Sequence, residues 1–140
     1  MDIRPLEDTI AAAPQVSPEE LKAVADAGYR SVISNRPDGE APDQPSAAEM
    51  ALAAEAAGLE FRHIPVVPGA IGPEDIAAFK AALAELPRPV LGFCRTGTRT
   101  TSLWALVNAG DRSAESILET AKRAGYDLSG LKPRLTGEAS

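Results

Sequence analysis

Short apolar runs and helix-period segments alternate along most of this chain. Ile3 to Ala12 reads as a short strand or hairpin, Ser31-Val32-Ile33-Ser34-Asn35 as a strand, Glu60 to Val66 as the next, and Val90-Leu91-Gly92-Phe93 as another. The helical segments between them have legible ends. Ser17-Pro18-Glu19-Glu20 joins a capping serine, a first-turn proline and a capping-box glutamate, and the helix runs to Ala27 before Gly28. Ser46 and Glu49 open a second helix, Ala47 to Ala57, which Gly58 stops. Pro73-Glu74-Asp75 opens a third that ends near Leu86, where Pro87-Arg88-Pro89 breaks it. Further helices are predicted at Thr100 to Asn108, Ser113 to Ala124 (closed by Gly125) and Ser129 to Lys132. The polar loop from Pro37-Asp38-Gly39 to Pro45 and the loop from Val67 to Gly72 connect them.

This alternation predicts an α/β fold with a central, mostly parallel sheet of four to five strands flanked by helices on both faces. Residues 1–140 are expected to form a single domain, long enough to bury a core without covalent staples. Ligands on such sheets bind beyond the C-terminal strand ends. Those ends are Asn35-Arg36, Val67-Pro68 and Cys94.

Cys94 is the only cysteine of the chain. It opens Cys94-Arg95-Thr96-Gly97-Thr98-Arg99-Thr100, a turn between a predicted strand and a predicted helix. Backbone N–H groups and the positive end of the helix dipole converge at such a turn. A thiolate, the reactive form of cysteine, is stabilised there, so Cys94 is expected to be an accessible nucleophile; the plainer alternative is a small buried hydrophobe. Gly97 lets the loop curl into an anion nest, and Arg99 offers a planar fork to an oxyanion. Arg95 points either at the anion or at solvent. Thr96 belongs to the same anion-binding loop. Thr98 and Thr100 either donate hydroxyls to the sulfur or an oxyanion, or cap the following helix.

Composition narrows the chemistry. A net charge of −6 and the lack of long Lys/Arg clusters argue against nucleic-acid binding. No apolar run is long enough to span a bilayer, and the N-terminal residues lack an apolar signal region. With one free thiol, a cytoplasmic protein is expected. The single histidine, His63, and Cys94 lie thirty-one positions apart, which is not metal-ligand spacing, and no Walker or dinucleotide glycine pattern appears, so neither metal nor cofactor is expected. His63 is mid-strand, where a structural role competes with general-base work. Asn35 and Arg36 leave a strand end near the loop, where Arg36 either meets the substrate or makes a surface salt bridge. Trp104 reads as core packing rather than a substrate platform.

Five segments carry a family resemblance: Ser17-Pro18-Glu19-Glu20-Leu21, Asn35-Arg36-Pro37-Asp38-Gly39-Glu40, His63-Ile64-Pro65-Val66, Cys94 to Arg99, and Leu103-Trp104-Ala105. In this order they resemble the phosphatase-like domain of beta-lactamase-hydrolase-like proteins, over roughly Met1 to Leu135. The resemblance implies a fold like that of the dual-specificity phosphatases. Some members fuse this domain to a metallo-hydrolase, which implies a persulfide-oxidising partner of metallo-hydrolase type. The loop itself looks rhodanese-like, with four residues between Cys94 and Arg99 where cysteine-dependent phosphatases have five. Active phosphatases also place a catalytic Asp in the loop after the strand equivalent to Phe61 to Val66. Here Val67-Pro68-Gly69-Ala70-Ile71-Gly72 has no acid. Glu74 and Asp75 are the nearest acids, and their alternative role is to stabilise a helix start. Asp38 and Glu40 stand in the other loop.

The resulting expectation is an enzyme whose Cys94 thiolate forms a covalent intermediate with a small oxyanion, persulfide or phosphoester substrate. The short loop and the missing acid favour a sulfurtransferase that moves sulfane sulfur to a thiol acceptor through a Cys94 persulfide. The alternative is a phosphatase working through phosphocysteine, and a third is a non-catalytic anion-binding module.

Overall fold

The computed structural model describes residues 1–137. Residues 4–13 form an antiparallel hairpin, β1 (Arg4–Glu7) and β2 (Ile10–Ala13). Ser17 and Glu20 then make the reciprocal hydrogen bonds of a capping box over a 3-10 turn, Pro18–Glu20, that runs into α1 (Leu21–Asp26). There follow β3 (Ser31–Ser34), α2 (Ala47–Ala56), β4 (Glu60–His63), α3 (Pro73–Glu85), β5 (Val90–Phe93), α4 (Thr98–Asn108) and α5 (Ala114–Arg123). A 3-10 turn, Ser129–Leu131, leads into the short α6 (Lys132–Thr136).

The sheet has five strands in the order β1-β2-β5-β3-β4, parallel throughout except for the β1–β2 hairpin. Period-2 alternation sends successive side chains to opposite faces. Ile10, Ala12, Ile33 and Val90 meet a core built with α3, α4 and α5, including Phe79, Leu103, Trp104 and Ile117. Ala11, Ala13, Val32, Leu91 and Phe93 meet a smaller core on the other face with Leu21, Val24, Met50 and Ala54. Gly92 lies on the α4 side, where a Cβ would stand 2.5 Å from Thr100 Cγ2. Its missing side chain lets α4 close onto β5. Arg99 to Leu106 of α4 are all buried, as expected of a helix enclosed by a sheet and neighbouring helices.

The helix expected at Ser129 to Lys132 is instead a 3-10 turn followed by α6, and two further departures bear on the site. β4 ends at His63 rather than Val66 because Pro65 has no N–H for the ladder, although the Ile64 and Val66 N–H groups still reach Ser34 O (2.8 Å) and Asn35 O (3.0 Å). α4 begins at Thr98 rather than Thr100, because Gly97, at φ 96°, is itself the N-cap residue and no side chain caps the helix. Neither Thr98 nor Thr100 is therefore its cap.

Candidate active site

β5 is the central strand, and its C-terminal end delivers Cys94 into the turn before α4. The turn is fastened by backbone bonds: Cys94 N–H donates to Ala13 O (3.4 Å) and Gln15 N–H to Arg95 O (3.3 Å). Gly97 N–H donates to Cys94 Sγ at 3.0 Å. Cys94 is fully buried, at 0 % exposure, and does not itself line the adjoining cleft, although its neighbours Arg95 and Thr96 do. The sequence predicts an accessible thiol; the structure instead buries it, with the Gly97 N–H on its sulfur. Among the described residues, the Arg95, Thr96 and Arg99 N–H groups have no backbone acceptor, so they remain available to a ligand.

Arg99, from the first turn of α4, is buried and held by a fork. Its Nη1 donates to Glu40 Oε2 (2.6 Å) and Val66 O (3.0 Å), and its Nη2 to Glu40 Oε1 (2.9 Å). Both Nη1 hydrogens and one Nη2 hydrogen are thereby used. The Nε–H and the other Nη2–H remain, which is the side-on edge suited to two oxygens of one anion. Hydrogen bonding to Glu40 raises the Arg99 pKa above its ordinary value against the opposing effect of burial, and the neighbouring Cys94 acts in the same sense. Glu40 is in turn held below the usual carboxylate range, first by Arg99 and also by Arg36, despite partial burial.

The loop after β3 supplies the rest of this frame. Arg36 is buried; its Nε donates to Glu40 Oε1 (2.9 Å) and its Nη1 to Gln15 Oε1 (3.0 Å). Asn35 is buried between three elements: its N–H donates to Phe93 O (2.8 Å), its Nδ2 donates to Ile64 O (3.0 Å), and its Oδ1 accepts from Thr100 Oγ1 (2.7 Å). Thr100 thus faces the sheet, not the cleft. His63 Nε2 donates to Arg36 O at 2.8 Å, which orders the loop backbone.

The remaining candidates lie elsewhere. Asp38 Oδ1 accepts from Ala47 N–H (2.8 Å) at the start of α2. Asp75 Oδ2 accepts from Gly72 N–H (2.9 Å) in the capping box of α3. Both carboxylates are engaged at helix starts. Trp104 is fully buried in the core, with Arg112 5.4 Å from its ring centroid.

A cleft of ≈ 480 Å³ opens over the loop. Arg95, Thr96, Thr98 and Arg99 form one side, with Ser102 from α4. Pro68, Gly69 and Ile71, from the loop between β4 and α3, form another, and Leu131 and Arg134 close the third. No carboxylate is among these residues. Arg134 gave no signal in the sequence, because only the docking of α6 brings it here. Tyr126 is the second residue that sequence reasoning missed. Its hydroxyl donates to Thr96 O (3.4 Å) behind the loop, and burial raises its pKa. A Cβ on Gly97 would collide with that hydroxyl. Among the described residues no group of His, Cys, Asp and Glu could hold a metal ion, and no helix is long and apolar enough to cross a membrane.

The mostly parallel five-stranded sheet, with the Cys94-to-Arg99 turn at the end of its central strand, is a fold the chain shares with solved phosphatase structures. The chain belongs to the family described as "Beta-lactamase hydrolase-like protein, phosphatase-like domain", whose model matches residues 2–111. A beta-lactamase hydrolase-like protein of Agrobacterium fabrum is 37% identical over 122 residues, covering 86% of this chain but 28% of its own length. The chain therefore spans less than a third of that curated relative. The crystal structure of a candidate phosphatase from Neisseria meningitidis is similar at TM-score 0.89 and 32% identity, over 98% of each chain. The core catalytic domain of a PP-IP phosphatase from S. cerevisiae shares the fold alone, at TM-score 0.69 and 16% identity, over 99% of this chain and 85% of its own.

Proposed function

We propose that Cys94 is the nucleophile of a group-transfer reaction on oxyanion substrates whose leaving group departs without needing a proton. The observation that carries this reading is a cleft free of carboxylates, lined by Arg99 and by Arg95 and Thr96, the residues that follow Cys94. Asp38 and Asp75 are bound to helix starts, and Glu40 is bound to two arginines. None of the three is free to protonate a leaving oxygen.

The first reading is phosphatase chemistry on activated phosphates such as aryl phosphates or phosphoanhydrides. The Cys94 thiolate attacks phosphorus, the ester P–O bond breaks, and the leaving oxyanion departs with the bonding electrons. Water then attacks the phosphocysteine, releasing phosphate, one proton and the thiolate. The Arg95, Thr96 and Arg99 N–H groups and the free edge of Arg99 suit the three equatorial oxygens of the transferred group. Similarity to proteins described as phosphatases supports this reading.

The second reading is sulfur transfer, favoured by the short spacing from Cys94 to Arg99. Here the thiolate attacks the sulfane sulfur of thiosulfate, the S–S bond breaks, and sulfite leaves as a stable anion. A thiolate acceptor then takes the outer sulfur of the Cys94 persulfide and restores the thiolate.

Intact-protein mass spectrometry separates the readings. Wild type and Cys94→Ser are incubated with an aryl phosphate, with thiosulfate and with glutathione persulfide. A phosphoryl adduct with release of phenol supports the first reading; one added sulfur, removed by cyanide, supports the second. If the wild type carries neither adduct and turns over none of these compounds, the loop is an anion-binding module and the proposal fails.

A further inference from the structure

The cleft extends well past the atoms that chemistry at Cys94 requires. Its ≈ 480 Å³ falls within the range that holds whole organic ligands, about 300–1,000 Å³. A lone tetrahedral oxyanion would need only the loop N–H groups and the free edge of Arg99. The additional lining is of two kinds. Pro68, Ile71 and Leu131 form an apolar wall. Arg95 and Arg134 add two exposed cations, and among the described residues neither is in an ion pair. The chain as a whole carries a net charge of −6, whereas this cleft is lined by arginines and no carboxylate, a contrast that favours anions in the cleft. The backbone carrying Arg134 is fixed, because its neighbour Leu135 is 6 % exposed and packs into the larger core.

From these residues we infer that the substrate is a small molecule with two anionic groups. One reacts at Cys94. The other, a phosphate or carboxylate, is bound across the cleft by Arg134 together with Arg95, and the connecting body lies against Pro68, Ile71 and Leu131. Arginine suits the task because its planar fork grips two oxygens of one group. Arg134 is a specificity-determining residue in this arrangement, separate from the machinery of Cys94, Arg99 and Glu40. The inference rests on the reading of the cleft as the substrate site.

The test uses the Cys94→Ser protein, which cannot turn over its ligands, and isothermal titration calorimetry with phenyl phosphate and 4-carboxyphenyl phosphate. The two probes differ by one anionic group at the far end of the ring. The carboxylated probe is expected to bind about tenfold more tightly, a margin typical of one charge-assisted fork. Adding Arg134→Gln should reduce the affinity ratio of the two probes to below about threefold, with an unchanged melting temperature as the control for folding. Raising salt should shrink the same ratio. Equal binding of the two probes by the parent, or a ratio that Arg134→Gln leaves intact, would overturn the inference while leaving the proposed chemistry standing. Failure of phenyl phosphate, 4-carboxyphenyl phosphate and thiosulfate alike to bind would instead remove the cleft as an oxyanion site, and the inference with it.

Discussion

Replacing Glu40 by glutamine keeps the shape of the side chain and removes its charge. Glu40 accepts three charge-assisted hydrogen bonds: two from Arg99, at 2.6 and 2.9 Å, and one from Arg36 at 2.9 Å. A glutamine keeps one oxygen and turns an N–H₂ group toward an arginine donor, so at least one bond becomes a donor facing a donor. Hydrogen bonds to charged groups contribute about 1.5–3 kcal/mol each. The Glu40 side chain is 22% exposed, so solvent offsets part of the loss and the lower end of that range applies. We expect about 2 kcal/mol of lost transition-state stabilisation, or roughly thirtyfold in kcat/KM. Steady-state kinetics on the reactive substrate, alongside urea unfolding, is the assay. KM should rise and kcat should fall together, because an untethered Arg99 binds the ground state poorly and the transition state worse. An unaltered kcat/KM with lowered stability would refute the positioning role. A higher kcat/KM would show that Glu40 competes with the substrate for Arg99. The same carboxylate sets a pH dependence. Its folded pKa lies below the ordinary value of about 4.3. Its contribution to stability is therefore fully present above that value and is lost as acid carries the pH through the depressed folded pKa. Glu40→Gln should flatten that acid limb in urea titrations.

Three further outcomes are expected. Gly97→Ala forces a side chain into φ 96° and against the Tyr126 hydroxyl, and should cost about 1–3 kcal/mol in thermal unfolding together with most of the covalent-adduct yield; a stable, fully active variant would disprove the strain argument. Asn35→Ala strands Thr100 Oγ1 and Ile64 O in the interior, and a loss of about 2–4 kcal/mol by chemical denaturation is expected, with a loss under 1 kcal/mol counting against it. Phe79→Ala, at a fully buried position outside the cleft lining, should lower stability by about 3–5 kcal/mol yet leave kcat/KM close to wild type at low temperature; a large kinetic defect there would mean that α3 packing governs the site.

Local signals were legible where local physics decides. The boxes at Ser17/Glu20 and Ser46/Glu49 form the hydrogen bonds their spacing implies, and the alternation of strands and helices does build a mostly parallel sheet. The strand-to-turn-to-helix setting of Cys94 was equally readable. What was hidden depends on pairs distant in sequence. Glu40 meets Arg99 across 59 positions, and Tyr126 reaches Thr96 across 30. No periodicity marks either. The start of α4 was misplaced because threonines resemble caps, whereas a left-handed glycine performed the task through its backbone.

The position of β5 has a consequence for how the molecule assembles. β2 and β3 are successive in the chain but do not pair; each pairs with β5 instead, through Ile10↔Val90 and Ser31↔Val90. Until Val90–Phe93 inserts, the β1–β2 hairpin and the β3–β4 pair have no shared ladder. Closing such long-range contacts is slow compared with helix formation. The strand that joins the two halves also leads directly into the turn that carries the thiol. A half-assembled chain thus lacks both a continuous sheet and an ordered loop around Cys94, so reactive chemistry and completed folding should arrive in one step during synthesis and disappear in one step on unfolding.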